Sequence, residues 1–198
     1  GRSVIVKKLK ALPIESIVRN YLIGSGYSDY LSNGSICGIN LPSNLKMASK
    51  LPELLFTPSS KAEIGNHDIN ISFEKMSKLI GQDISEKIKK ISCEIFERAS
   101  DYLKTKNIIL ADTKFEFGLC NNGSLVLMDE ILTPDSSRFW ISESYQEGVS
   151  PASLDKQFIR DYVKSISWND SMPPPELPED IVQKTFEKYK DLNRILMD

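Results

Sequence analysis

KFEFGLCNNGSLVLMDE, residues Lys114 to Glu130, reads as two strands folded back on each other. Asn122-Gly123 lies between two runs of strand-forming residues, and it is the dipeptide that most strongly favours a two-residue hairpin turn. A fold at that point sets Glu116 opposite Asp129. Side chains alternate along a strand, so Asp112, Lys114 and Glu116 share one face, and Thr113, Phe115 and Phe117 share the other as core residues. Directly opposed carboxylates cost a few tenths to about 1 kcal/mol unless something compensates. A hard divalent cation would: Mg2+ is commonly held by one or two carboxylates plus nucleotide phosphates. Lys114, one pleat along, would then meet a phosphate oxygen as a point charge. A solvated strand face of mixed charge has the same pattern, and the hairpin alone leaves both readings open.

Around the hairpin, the chain is ordinary in bulk. Its 198 residues are 40% hydrophobic and 26% charged, enough to bury a sizeable core. A net charge of −2 argues against a duplex-binding surface but leaves room for a local basic pocket. Cys37, Cys93 and Cys120 are odd in number and lack CxxC spacing, and His67 is the single histidine. A disulfide framework or structural zinc site is therefore not expected, and a reducing cytoplasm is. No apolar run reaches the roughly 18 residues of a membrane span. The start, GRSVIVKKLKALPIE, has too short an apolar run for a signal peptide and looks like a chain beginning in mid-fold on a strand.

Before the hairpin, Pro13 splits β-branched residues into two expected strands, the second over Glu15 to Tyr21. Gly24-Ser25-Gly26 suggests a turn into a short helix. Ser35 to Ser72 reads as a long irregular segment with Pro42, Pro52 and Pro58, too apolar for disorder. Ser72 is the expected N-cap of a short helix. The strongest helix is DISEKIKKISCEIFERASDYLKTK, with a core stripe expected at Ile84, Ile88, Ile91, Ile95, Ala99 and Tyr102. After the hairpin, SLDKQFIRDYVKSI reads as a helix capped by Ser153 or Asp155, Pro173 to Pro175 as a rigid spacer, and PEDIVQKTFEKYKDLNRIL as a helix burying Ile181, Thr185, Tyr189 and Leu192. Strands, helix, hairpin and helices in that order predict an α+β fold with an antiparallel sheet flanked by helices.

Three further clusters carry chemistry. DEILTPDSSRFW sets Asp129, Glu130, Asp135 and Arg138 around a Thr-Pro-Asp turn, which also reads as an Asx-type turn with an ion pair. In IVRNYLIGSG, Arg19 precedes a Gly-Ser-Gly turn. A guanidinium, the Ser25 hydroxyl and backbone N–H groups at a helix start make a phosphate cradle, although no P-loop pattern occurs. TPSSKAEIGNHD packs Ser59, Ser60, Lys61, Glu63, His67 and Asp68 into one polar loop.

Taken in order, IVRNYLIGSGYSDY, CGINLP, SKLPELLFTPSSKAEIGNHD, DTKFEFG, DEILTPDSSRFW and SLDKQFIRDY resemble successive motifs of the phosphoribosylaminoimidazole-succinocarboxamide synthase (SAICAR synthetase) family. They cover most of Ile14 to Tyr162, and PPPELPEDIVQKTFEKY fits the longer form of that enzyme. The resemblance implies an ATP-dependent ligase of purine synthesis. It would join L-aspartate to the carboxylate of carboxyaminoimidazole ribonucleotide (CAIR) through an acyl phosphate, with ATP and Mg2+ and without nucleic acid or membrane partners. A homo-oligomer is compatible with it. It also implies a kinase- and ATP-grasp-reminiscent fold whose N-terminal ATP-binding lobe is largely absent here. Residues 1–20 would end that lobe as hinge strands, 21–170 would form the central substrate and ATP–Mg2+ domain, and 171–198 would be a Pro-rich spacer and terminal helix packed on it. By the same resemblance, Glu116 and Asp129 are metal ligands, Lys114 faces nucleotide phosphates, and Glu15 lines the ATP cleft. Arg19, Ser25 and Arg160 hold the CAIR 5′-phosphate. Asp68 lies near the imidazole ring or a second metal, and is a candidate base for the aspartate amine. Lys61, Asp135, Ser136 and Arg138 contact carboxylate or aspartate.

Overall fold

The computed structural model describes residues 3–61, 68–168 and 173–197. Glu63 and His67 of the polar loop lie outside the described residues. In chain order the elements are β1 (Lys10–Tyr21), α1 (Gly24–Asn33), β2 (Ser35–Ile36), β3 (Ile39–Asn40), β4 (Lys50–Phe56), β5 (Ser59–Ser60), β6 (Ile69–Asn70), α2 (Phe73–Ile80), α3 (Gln82–Thr105), β7 (Ile108–Leu119), β8 (Leu125–Met128), β9 (Ser137–Ile141), α4 (Gln157–Ser165) and α5 (Glu179–Met197). The α+β expectation holds, and every strand pairing among the described residues is antiparallel.

The long strands β1 and β7 pair at the centre of a seven-stranded sheet. β4 and β5 lie along the outer side of β1, and β8 and β9 along the outer side of β7. Each outer row is broken, at Thr57-Pro58 and between Met128 and Ser137. β1 is one strand, not the two expected. Pro13 lies where the β1–β7 register shifts between Ala11 and Glu15, so its missing N–H breaks no regular ladder. The segment read as irregular holds five strands. Pro52 is tolerated inside β4 because β4 pairs only with β1, and the register shifts there too, between Arg19 and Tyr21.

The hairpin tip differs from the expectation by one residue. The Cys120 N–H donates to Ser124 O at 3.0 Å and the Gly123 N–H to Cys120 O at 2.9 Å. Gly123 sits at φ 80°, so three residues, Asn121, Asn122 and Gly123, form the loop, with glycine in the left-handed position. Glu116 therefore pairs with Met128, not Asp129.

One face of the sheet is the main core. Ile14 and Val18 of β1, Phe115 and Phe117 of β7, and Phe139 of β9 pack there with Ile88, Phe96 and Leu103 of α3. Burying each such side chain contributes roughly 1.5–3 kcal/mol. The buried centre of α3 is thus Ile88, Phe96 and Leu103. Of the expected stripe, Ile84, Ile91, Ile95 and Ala99 flank it half-buried, and Tyr102 is 49% exposed, its hydroxyl donating to Leu196 O. In α5, Thr185 and Leu192 are buried, with Ile181 and Tyr189 at the margin, and Leu192 joins the same core. The Ser72 hydroxyl caps α2 by accepting from the Lys75 N–H, and Asp155 accepts from the Gln157 N–H at the start of α4. The β7–β9 register shifts between Leu110 and Asp112. That bulge reverses the alternation, so Leu110 points into the core and Asp112 to the opposite face.

Candidate active site

The face opposite the core carries the charge. β1 and β7 set Glu15 against Glu116, Ile17 against Lys114 and Arg19 against Asp112, and β9 adds Arg138 beside Asp112. Opposed carboxylates do occur, but the partner of Glu116 is Glu15.

At one end of the row, Lys114 Nζ donates to Glu116 Oε1 at 2.6 Å and to Asp129 Oδ2 at 3.0 Å, and stands 3.9 Å from Glu15 Oε1. Lys61 pairs with the other oxygen of Glu116. Asp129 thus reaches Lys114 from beyond the end of β8, with its backbone at φ 64°. Partial burial opposes the Lys114 charge, but bonds to Glu116 and Asp129 outweigh it and hold the ammonium above its ordinary pKa. The same bond from Lys114 holds Asp129 below the usual carboxylate range. Burial, then Asp68 and Glu116, raise Glu15. Asp68 itself is exposed.

At the other end, the Arg19 side chain is 2% exposed and each nitrogen of its fork has a partner. Nε donates to Thr57 Oγ1 at 2.9 Å, Nη1 to Asp112 Oδ2 at 2.7 Å and Nη2 to Ser25 Oγ at 3.0 Å. Arg138 Nη1 donates to the same Asp112 oxygen at 2.6 Å, while its buried Nε has no partner among the described residues. Arg160 of α4 lines the same cavity, of about 300 Å3, and donates to Gln157 Oε1 at 3.5 Å. Burial and the like charge of Arg138 push Arg160 below its ordinary pKa. Burial opposes the Arg138 charge too, but Asp112 outweighs it and raises the pKa. Three guanidiniums gathered at one cavity suit an anion.

The loop between β8 and β9 walls the cavity. Asp135 pairs with Lys156, which lowers its pKa. Ser136 is committed to the loop itself: its Oγ accepts from the Thr133 N–H at 3.0 Å and its carbonyl from the Lys114 N–H at 2.9 Å. The expected residues Glu15, Arg19, Ser25, Lys114, Asp135, Ser136, Arg138 and Arg160 all line this cavity. Glu116 and Asp129 adjoin it through Lys114, and Lys61 through Glu116. Asp112, Thr57 and Lys156 had no expected role, and Glu130 was placed only in the acidic cluster around the Thr-Pro-Asp turn. Asp112 was nevertheless visible, since it shares a face with Lys114 and Glu116.

Gly24 opens α1 at φ 59°, and a Cβ there would stand 2.5 Å from Arg138 Nη2. A side chain in left-handed backbone costs about 1–2 kcal/mol. Gly123 also has positive φ, but a Cβ there meets nothing within 4 Å. Gly24→Ala is therefore expected to destabilise more than Gly123→Ala in urea unfolding. Equal losses would mean Arg138 yields freely.

A family model described as SAICAR synthetase matches residues 1–175. The chain belongs to the SAICAR synthetase family. Phosphoribosylaminoimidazole-succinocarboxamide synthase of Haemophilus influenzae (strain PittEE) is 55% identical over 190 residues, covering 96% of this chain and 66% of that protein. The Histophilus somni (strain 2336) protein of the same name is 53% identical, over 98% of this chain and 68% of its own. Among solved structures, SAICAR synthase from Saccharomyces cerevisiae complexed with SAICAR aligns with a TM-score of 0.82 and 40% identity, over 96% of this chain and 61% of that one. A SAICAR synthetase in complex with ADP aligns with a TM-score of 0.68 and 30% identity, over 96% and 65%. The chain thus spans about two thirds of the length of these SAICAR synthetases. The fold expected from the resemblance is the SAICAR synthetase fold, with mixed α and β content and an antiparallel sheet. No helix among the described residues is long and apolar enough to cross a membrane.

Proposed function

We propose that this chain carries the substrate and phosphoryl-transfer surface of an ATP-dependent ligase that joins L-aspartate to the carboxylate of CAIR, giving SAICAR, ADP and phosphate. The observation that carries the reading is the single sheet face. It sets an arginine cradle at one end and a lysine–carboxylate cluster at the other, the two charge environments that a ribonucleotide 5′-phosphate and a nucleotide polyphosphate require. A carboxylate is a poor electrophile, so phosphorylation turns one of its oxygens into a leaving group. The acyl phosphate is then attacked by the aspartate amine.

Arg19, Ser25 and Arg160 would bind and orient the 5′-phosphate, and Arg138, expected at a carboxylate or aspartate, would instead add its charge to this cradle through Asp112. Lys114 would hold positive charge beside the transferring phosphoryl group, where catalysis is mostly positioning and charge neutralisation. Lys61 would face a carboxylate of CAIR or aspartate, and Asp135, itself a carboxylate, would contact aspartate on the side of its amine. Ser136 would shape the wall that presents them. Asp68 is the candidate to accept the amine proton. Among the described residues no group of three or more His, Cys, Asp and Glu converges as a metal cage. The donor set nevertheless fits Mg2+, which needs only one or two carboxylates beside nucleotide phosphates. Glu116 Oε1 and Asp129 Oδ2 already converge on one cationic centre, Lys114 Nζ. Glu116 and Asp129 would hold the ion, with Glu15 lining the same cleft, and the ion would neutralise charge on the transferring phosphoryl group.

Calorimetric titration of the chain with CAIR, and separately with Mg2+–ATP, tests the reading. The cradle predicts CAIR binding. Because the chain spans about two thirds of its relatives, binding of CAIR without ADP release from Mg2+–ATP and aspartate would identify it as a ribonucleotide-binding piece without turnover of its own. Binding of neither ligand would sink the proposal.

A further inference from the structure

We propose that Asp112 is a positioning residue that sets the spacing and aim of the anion-binding arginines, an inference that rests on the function proposed above. One carboxylate oxygen, Asp112 Oδ2, accepts from Arg19 Nη1 at 2.7 Å and from Arg138 Nη1 at 2.6 Å. The two arginines come from strands on opposite sides of β7, with Asp112 between them as the cross-strand partner of both. Like charges held this close repel, and an opposite charge on the shared oxygen keeps them together. Packing narrows the space open to each arginine, and the shared Asp112 oxygen selects the pose within it. Thr57 and Ser25 fix the remaining nitrogens of Arg19, and Gly26 would crowd Arg19 Cδ at 3.2 Å if it bore a Cβ. Gly24 similarly leaves only enough room for the Arg138 guanidinium. The Asp112 side chain is 4% exposed, so it orients the donors from beneath and is not itself a ligand for an anion.

The roles of charge and position predict opposite signs. A carboxylate near an anion site repels the anion, so by charge alone Asp112→Asn tightens binding. By position, the same change releases the two arginines and weakens it. Asp112→Glu keeps the charge and displaces the oxygen by one methylene, so charge alone predicts no effect and position again predicts a loss. Ribose 5-phosphate serves as the phosphomonoester probe. Wild type, both Asp112 variants and Arg160→Gln are titrated by calorimetry, and thermal unfolding without ligand reports the fold of each.

The expected result is binding at least about tenfold weaker in Asp112→Glu, and in Asp112→Asn where that variant folds, matching the loss of one charge-assisted bond. Unchanged or tighter binding in a folded Asp112 variant overturns the positioning role while leaving the anion site intact. No binding by wild type, with Arg160→Gln indistinguishable from it, removes the anion site and the proposed function, and the positioning role goes with them.

Discussion

Arg19→Ala is expected to lower stability by about 3 kcal/mol, the low end of the cost of breaking a buried ion pair by removing one partner. The Arg19 side chain is 2% exposed and occupies Thr57, Asp112 and Ser25 together, so its removal opens three hydrogen bonds across three segments of chain. The cost falls at the low end because Arg138 still pairs with Asp112, which is not left as an isolated buried charge. For a chain of this length, 3 kcal/mol corresponds to a fall in Tm of roughly 6–12 °C. Arg19→Lys is expected to recover only a minor part. An ammonium is compact and cannot span Thr57, Asp112 and Ser25 as a planar fork does. Arg138→Ala is expected to cost less than Arg19→Ala, since Arg138 makes one of these bonds and its side chain is 18% exposed. Urea unfolding of the three variants ranks them, and a loss below about 1 kcal/mol for Arg19→Ala would mean water replaces the guanidinium without difficulty.

The sequence carried the face but not the partner. Alternation within DTKFEFG was enough to put Lys114 and Glu116 on one side and Phe115 and Phe117 on the other, because strand side chains have a period of two wherever the strand is regular. The pairing of Glu116 depended on whether Asn122-Gly123 closed a two- or three-residue loop, and both use the same dipeptide signal. One residue moved Asp129 off the ladder. The carboxylate that does oppose Glu116 comes from Glu15, about a hundred residues earlier, and a local pattern does not reveal a partner that distant. The bulge at Leu110–Asp112 was hidden for a related reason. It aims Asp112 at the arginines, yet ILADTK contains no glycine to mark it. Pro13 and Pro52 misled in the other direction: proline signals a break in general but is compatible with a strand at a register shift or an edge. The site residues were legible as types within motifs. Thr57 was not, because only the fold brings the end of β4 under Arg19.

On the proposed function, Glu116→Gln is expected to reduce ligase turnover by about 10²–10³-fold, the scale of removing one preorganised electrostatic contact from a reacting charge. The fold should survive. Glu116 is 8% exposed and faces Glu15, so neutralising it relieves one repulsion while loosening Lys114 and Lys61. ADP release from Mg2+–ATP, CAIR and aspartate measures turnover, and wild-type rates in the variant would strip the carboxylate of its role. The pH dependence has a definite sign at each group. Lys114 has a raised pKa, so its contribution is complete below the unfolded lysine value near 10.4 and is lost only as pH rises through the higher folded value. Asp129 has a lowered pKa, so its contribution is present above the unfolded value near 3.9 and is lost as pH falls through the folded one. Between those limits the Lys114–Asp129 pair is fully charged, and neither group should produce a limb in the rate profile near neutrality. Glu15 behaves in the opposite sense. Burial, Asp68 and Glu116 raise its pKa, so it disfavours the folded state progressively as pH rises above its unfolded value. Removing the Glu116 charge should therefore lower the Glu15 pKa, which carbon-13 side-chain shifts follow directly. A Glu15 titration that stays in place in Glu116→Gln would mean the two carboxylates, although paired across the strands, do not sense each other, and burial with Asp68 would then account for the raised value.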